Sequence, residues 1–190
     1  MDYKFCPLCT TRLTRDTVQA EGHPACLACG FIQWNNPVPC VAVLCPVVKL
    51  NPKQEGIVAI EPNAVVLVQR GINPGKGKWC LPCGYVNAWE DPRDAAKRET
   101  LEETGLIVEL MQLLYATKAR DQNLNNMILF YMARVVGGED KAGDDALASG
   151  WFKRDELPEL AFETHKETIH DFFDGRWPYT GNMTAKIRLN

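Results

Sequence analysis

The pattern of apolar and polar residues predicts a chain in which strands outnumber helices. Short apolar runs are separated by turn residues such as Gly, Pro and Asn, which is typical of strands joined by hairpins. Because hairpins dominate, the pattern favours a mixed α/β sandwich over a doubly wound parallel sheet. Strands are predicted at residues 38–48, 57–60, 64–69, 106–116, 127–136 and 148–152, with 57–60 and 64–69 forming a hairpin.

Two helices are predicted, and the first has well-defined ends. Asp91 suits the N-cap, Pro92 suits the first helical position, and Gly105 supplies a C-terminal stop. Most residues between them are strong helix formers. A second helix at residues 164–173 is amphipathic. Its predicted inward side chains are Ile169, Phe172 and Phe173.

Length and composition indicate one main domain and a small additional module. The chain has 190 residues, of which 46% are hydrophobic, and this suffices for a core. The sequence Asn35-Asn36-Pro37 is typical of a join between two units. We therefore predict an N-terminal module at residues 1–35, a main domain at 36–175 and a C-terminal tail at 176–190.

Charge and hydropathy argue against nucleic acid and membrane as partners. The formal net charge is −3, so nothing suggests general binding to nucleic acid. The longest apolar runs are interrupted by Cys and Pro and fall short of a membrane span. Residues 1–8 are polar and contain Pro7, unlike a signal peptide, so we expect a cytoplasmic protein.

Four cysteines near the N-terminus are spaced as metal ligands. Two C-x2-C pairs, Cys6 with Cys9 and Cys26 with Cys29, are separated by sixteen residues, which is the spacing of a zinc ribbon. The alternative, a pair of disulfides, is disfavoured in a reducing cytosol. We predict a structural Zn²⁺, because four thiolates leave no open coordination position for catalysis.

The segment from Gly84 to Leu106 has a cluster of carboxylates on its predicted helix. Glu99 lies one turn from Glu102 and Glu103, at i+3 and i+4. Three carboxylates on one side of a helix repel each other unless a cation lies among them, and such oxygen ligands select Mg²⁺ or Mn²⁺ over zinc. The alternative is a solvated acidic helix face, which the accompanying Gly, Glu and Arg disfavour.

This segment resembles the Nudix box, G-x5-E-x7-R-E-U-x-E-E-x-G-U, in which U is a bulky apolar residue. Every fixed letter matches, from Gly84 through Glu90 and Arg98 to Gly105. One U position differs, since Thr100 stands where Leu, Ile or Val is usual. Its hydroxyl could alter helix packing. The resemblance implies a Nudix-type α/β/α sandwich with a mixed sheet. It also implies hydrolysis of a nucleoside diphosphate linked to another group.

The resemblance further implies roles for individual residues. Arg98 would pair with Glu90 and brace the loop against the helix. Catalysis would combine Arg98 with the box glutamates, and a metal-bound water would attack one phosphorus and release a nucleotide monophosphate. The implied ligands of Mg²⁺ or Mn²⁺ are the carbonyl of Gly84 and the carboxylates of Glu99, Glu102 and Glu103.

The order of the modules narrows the resemblance within the family. NADH pyrophosphatases also have a ribbon before the box, but their downstream array S-Q-P-W-P-F-P is absent here. The chain is more similar to ribbon-bearing Nudix proteins that include plant enzymes cleaving FAD and ADP-ribose. This likeness implies FAD or ADP-ribose as substrate, AMP as product, and a homodimer. The alternatives are an NADH pyrophosphatase, a nucleotide-sensing regulator without turnover and, behind these, an enzyme that removes oxidised nucleoside triphosphates.

The sequence offers several candidates for the general base and for the substrate contacts. Arg70 could contact a phosphate or be a plain surface arginine. The base could be Glu102 or Glu103, or an acidic residue outside the box: Glu139, Asp144, Asp145 or Glu163. Aromatic residues that could stack an adenine, although most are expected in the core, are Tyr85, Tyr115, Phe130 and Tyr131.

A third C-x2-C, formed by Cys80 and Cys83, immediately precedes the box. It could be a redox pair, but such a motif opens a helix at once, whereas this helix begins near Asp91. In Nudix proteins the approach reads Trp-x-Leu-Pro-small-Gly, so both cysteines take ordinary positions of that pattern. Cys40 and Cys45 are interpreted as small core residues.

Overall fold

The computed structural model describes residues 3–15, 20–50, 57–120, 125–143, 146–176 and 184–186. The chain separates into two compact units, Met1–Pro37 and Val38–Asn190. The named helices and strands lie in the second unit. In chain order they are β1 (Val38–Leu44), β2 (Pro46–Leu50), β3 (Ile57–Arg70), β4 (Trp79–Cys80), β5 (Cys83–Tyr85), α1 (Pro92–Thr104), β6 (Leu106–Lys118), β7 (Asn126–Gly138), β8 (Ala146–Phe152), a 3₁₀ turn (Arg154–Glu156), α2 (Glu163–Phe173) and β9 (Thr184–Lys186).

The strands form one four-stranded and one five-stranded sheet. The first has the order β5-β1-β7-β6 and is mixed, because β1 and β7 pair in parallel while β5 and β6 run antiparallel to their neighbours. In the second, β3 is central and pairs antiparallel with β2, β4, β8 and β9. The predicted α/β class with a mixed sheet is confirmed.

The two helices cover opposite faces of the mixed sheet. Successive residues of β1 point to opposite faces, as in any strand. Val41 belongs to a buried cluster that contains Ala95 of α1. Ala42 and Leu44 belong to a second cluster, which contains Ile169 of α2. The chain therefore forms the predicted sandwich, with α1 and α2 packed on either side.

The predicted hairpin at residues 57–60 and 64–69 is wrong, because one long strand, β3, runs through both segments. Glu61-Pro62-Asn63 has turn chemistry, yet it lies where the register between β2 and β3 shifts. Proline cannot donate to a ladder and is accommodated at such irregularities. The single strand predicted at 38–48 is likewise two strands, β1 and β2, separated at Cys45.

Other predicted elements are present with small differences in their ends. Helix α2 buries Ile169, Phe172 and Phe173 as predicted. The short strands β4 and β5 were missed because each has only two or three residues. In the predicted tail, β9 pairs with β3, while residues 177–183 and 187–190 lie outside the described residues. None of the helices in the described residues is long and apolar enough to cross a membrane.

Candidate active site and metal centres

Helix α1 is fixed at both ends by the predicted caps. The side chain of Asp91 accepts a hydrogen bond from the N–H of Arg93 at 2.8 Å. Gly105 adopts φ 71°, and its N–H donates to the carbonyl of Leu101. The buried hydroxyl of Thr100 donates to the Ala96 carbonyl at 2.7 Å, so the residue that departs from the box pattern has its polar group satisfied within the helix.

The carboxylate of Glu99 lies directly against the backbone of Gly84. A Cβ atom on residue 84 would come within 2.0 Å of the Glu99 Cδ atom, so a larger residue here would displace the Glu99 carboxylate. The contact joins the start of the box, on β5, to the middle of α1. The backbone of Gly84 and the carboxylate of Glu99 are thereby brought to one place, as the implied metal site requires.

Glu103 is partly buried on the same side of α1. The N–H of Cys83 donates to its Oε2 atom at 2.8 Å. Burial raises the pKa of Glu103 well above its ordinary value, and burial also raises the pKa of Glu99. Two carboxylates that are costly to ionise without a counter-charge fit a divalent cation, which would supply that charge.

Arg98 connects the loop to the helix through a network of carboxylates. Its guanidinium makes two hydrogen bonds to Glu90, at 2.7 and 2.8 Å. It also donates to Glu99 at 2.7 Å and to Glu102 at 2.9 Å. These bonds to Arg98 lower the pKa of Glu90 to about 2. Glu102 differs from the other box glutamates, because 57% of its side chain is exposed.

A cavity of about 310 Å³ opens beside these carboxylates. Its size suits a small ligand. Arg70 lines the cavity, donates to the Pro74 carbonyl at 2.7 Å, and lies over the Phe162 ring, 4.7 Å from the centroid. The other lining residues include Gly84, Tyr85, Arg98, Glu99, Glu103 and His165.

Some of the predicted base and stacking candidates line the cavity, and others do not. Glu139 and Glu163 are exposed, and neither lines the cavity, whereas Asp144 and Asp145 lie outside the described residues. Among the described carboxylates, Glu99 and Glu103 line it. Of the aromatic candidates, Phe130 and Tyr131 are buried, Tyr115 stacks on Phe130, and the exposed Tyr85 lines the cavity.

The four N-terminal cysteines form a compact group in the first unit. Their sulfur atoms lie within 4.8 Å of one another, with Cys6–Cys29 and Cys9–Cys29 at 3.5 Å and Cys9–Cys26 at 3.4 Å. These separations exceed a disulfide bond and approach the edge of a ZnS₄ tetrahedron, about 3.8 Å for Zn–S bonds of about 2.3 Å. None of the eight cysteines is in a disulfide.

The cavity also contains a residue that sequence reasoning missed. His165 on α2 is 2% exposed, and its Nδ1 atom is buried with no hydrogen-bond partner among the described residues. Burial, with a smaller effect of the Arg70 charge, lowers the pKa of His165 to about 3, so the ring is neutral at pH 7. Its position in an amphipathic helix gave no sign of this, because a lone histidine among apolar residues is usually part of a core.

Known proteins are similar to this chain in sequence and in fold. A family model described as the NUDIX domain matches residues 50–172. An ADP-ribose pyrophosphatase from Methanocaldococcus jannaschii is 40% identical over 117 residues, which cover 60% of this chain and 68% of that protein. An NAD-capped RNA hydrolase, NudC, from Chromobacterium violaceum is 25% identical over 159 residues, covering 83% of this chain and 53% of that protein.

A solved structure extends the similarity over almost the whole chain. The crystal structure of a NUDIX hydrolase from Nitrosomonas europaea has a TM-score of 0.72 and 25% identity, and the match covers 92% of each chain. Together with the match over residues 50–172, this agreement assigns the family, whose members act on pyrophosphate bonds and use divalent metals such as Mg²⁺. The chain belongs to the Nudix hydrolase family.

Proposed function

We propose that this protein hydrolyses the pyrophosphate bond of ADP-ribose, releasing AMP and ribose 5-phosphate. The observation that carries the proposal is the pair of partly buried carboxylates, Glu99 and Glu103, which line one cavity beside Gly84. The 40% identity to an ADP-ribose pyrophosphatase supports ADP-ribose over FAD, the other substrate that the sequence suggested. FAD would give AMP by the same cleavage and is the second substrate to test.

The box residues would hold Mg²⁺ or Mn²⁺ through the carboxylates of Glu99 and Glu103, with the Gly84 carbonyl as an additional ligand. When bound, the cation supplies positive charge to the pyrophosphate and lowers the pKa of a bound water. Glu102 completes the predicted ligand set from the more exposed side. Arg98 donates to both Glu99 and Glu102, so it positions these carboxylates relative to the loop.

Two residues on the cavity are suited to the rest of the substrate. Arg70 is held by Pro74 and Phe162, so its charge is preorganised to contact a phosphate. Tyr85 is exposed on the cavity, where its ring can stack on adenine. These assignments predict that Arg70→Lys and Tyr85→Ala raise KM more than they lower kcat.

We also propose that Cys6, Cys9, Cys26 and Cys29 hold a structural Zn²⁺ and that the N-terminal module ends near residue 35. The close sulfur atoms support four-thiolate coordination. The two loops have matching turns, because Thr10 N–H donates to the Cys6 carbonyl and Gly30 N–H donates to the Cys26 carbonyl. This repeated turn is expected when two C-x2-C loops present sulfur atoms to one ion.

The proposal is tested by incubating the full chain with Mg²⁺ and ADP-ribose, FAD or NADH and identifying products by mass spectrometry. Glu103→Gln, which keeps the side-chain size, is the matched control. We expect AMP and ribose 5-phosphate from ADP-ribose with the wild type and at least a hundredfold less with the variant.

Other outcomes would favour the alternatives. AMP from NADH in preference to ADP-ribose would favour an NADH pyrophosphatase, a function related to that of the NudC relative. Tight ADP-ribose binding without any product would favour a nucleotide-sensing regulator and would contradict the proposed hydrolysis.

A further inference from the structure

Cys80, Cys83 and His165 converge from three different elements at one side of the cavity. Cys80 ends β4, Cys83 begins β5, and His165 lies in the first turn of α2. One potential ligand atom from each residue lies within 4.8 Å of the others, and the two sulfur atoms are 3.9 Å apart. The structure therefore brings together a C-x2-C pair and a histidine that are 82 residues apart in the sequence.

The separation of the two sulfur atoms suits a shared metal ion. A disulfide requires about 2.05 Å between the sulfur atoms. Two ligands of a tetrahedral Zn²⁺ lie about 3.8 Å apart, close to the 3.9 Å between Cys80 and Cys83. The N-terminal cysteines, which have ribbon spacing, have sulfur separations of 3.4 to 3.5 Å. The two groups are therefore comparable in geometry.

The burial of the His165 side chain is a second, independent observation. The residue is almost fully buried, and its Nδ1 atom has no hydrogen-bond partner in the described part of the chain. A buried polar atom without a partner is costly. Phe130 and Phe162 flank the ring at centroid distances of 5.4 and 5.1 Å and hold it in place. A neutral imidazole held in this way is available as a metal ligand.

We propose that Cys80, Cys83 and His165 bind a thiophilic divalent cation, with Zn²⁺ as the probe, at a site separate from the box carboxylates and from the N-terminal cysteines. Two thiolates and one neutral imidazole balance the charge of Zn²⁺, so the complex can be buried without excess charge. Three protein ligands leave one of four positions open. That position would face the cavity, because Cys83 and His165 both line it.

The test counts zinc on the full chain. Wild type, Cys80→Ser and His165→Gln are loaded with Zn²⁺ under reducing conditions and with excess Mg²⁺, which competes for the box carboxylates. Unbound metal is removed, and zinc per chain is measured by mass spectrometry. Cys40→Ser is the matched control, because Cys40 lines the same cavity but is outside the cluster.

We expect Cys80→Ser and His165→Gln each to bind one zinc ion fewer than the wild type, and Cys40→Ser to bind as many as the wild type. The difference does not depend on how many ions the N-terminal cysteines hold. Equal zinc content in wild type, Cys80→Ser and His165→Gln would overturn the proposal.

A second variant isolates the site if Cys80→Ser fails to fold. The double variant Cys9→Ser, Cys29→Ser removes two of the N-terminal cysteines and leaves the cavity intact. It should still bind one Zn²⁺, and Co²⁺ in its place should give the absorption of cobalt bound to thiolate. Absence of bound metal, or cobalt without thiolate absorption, would overturn the proposal.

Discussion

The two units of this protein place their proposed metal ligands in opposite settings. In the first unit, the buried residues among those described are five small ones: Cys6, Ala20, Pro24, Ala25 and Cys26. In the second, strands and helices bury two large clusters, and carboxylates lie at the edge of that core. The proposed ligands thus take the place of a core in one unit and are supported by a core in the other. Loss of metal should therefore unfold the first unit but only inactivate the second.

The largest expected effect is the loss of structure in the first unit when its proposed zinc site is broken. Cys9→Ser removes one of four thiolates, and a unit with so small a core should not stay folded without the ion. Two-dimensional NMR should show collapsed amide dispersion for residues 3–37 and unchanged signals from the second unit. If the variant retains its amide dispersion, the first unit does not depend on the ion for its fold. Cys40→Ser is the control and should leave the N-terminal signals unchanged.

The next effect is the loss of activity without loss of the fold in the second unit. Glu103→Gln should lower kcat for ADP-ribose by about a thousandfold, because it removes a charge on which the bound cation depends. Its melting temperature should not fall, since the wild-type carboxylate is partly buried and its pKa is raised. Calorimetry and steady-state kinetics on the same preparation measure both quantities.

Glu102→Gln sharpens this prediction. The carboxylate of Glu102 is 57% exposed, so water can compensate for part of its charge, and kcat should fall by about tenfold. If Glu102→Gln lowers kcat as much as Glu103→Gln or more, the exposure of a box glutamate does not determine how much it contributes to kcat.

A smaller effect is expected from the pairing of Glu90 with Arg98. The pKa of Glu90 in the folded state is about 2, below its ordinary value of 4.5. Its contribution to stability is therefore present above about pH 4.5 and is lost as the pH falls toward 2. Glu90→Gln should lower the melting temperature at pH 7, and its difference from the wild type should shrink between pH 5 and pH 2. A pH-independent difference would exclude this ionisation as the cause.

The smallest effect is expected at Thr100. Its buried hydroxyl donates to the Ala96 carbonyl, which already accepts within the helix, so Thr100→Val removes one satisfied polar group and keeps the shape. Urea unfolding should show a change of less than about 1 kcal/mol. A larger loss would mean that the hydroxyl is required for the packing of α1.

The box and its helix were predictable because local chemistry determines them. Asp91, Pro92 and Gly105 fix the ends of α1 through capping and backbone conformation. The helical repeat then places the box glutamates on one side of the helix. The absence of a Cβ atom at Gly84 leaves the space that the Glu99 carboxylate occupies. Residues close in sequence therefore carried most of the information about this site.

The long-range contacts were not predictable in the same way. A hairpin was predicted from residues 57–60 and 64–69, but the pairing of β3 with four neighbours holds this segment in one strand. The sequence did not indicate His165 as a candidate metal ligand. That role depends on Cys80 and Cys83, and the packing of α2 brings them near the histidine. The predicted homodimer stays a prediction.

Glu99 and Glu103 are proposed to hold a divalent cation at the edge of an intact core. The most direct test is a titration with Mn²⁺ in which the signal of the free ion is followed by electron paramagnetic resonance. Wild type should bind Mn²⁺, and Glu103→Gln should bind it at least about tenfold more weakly while remaining folded. Equal affinity in the two proteins would contradict the account.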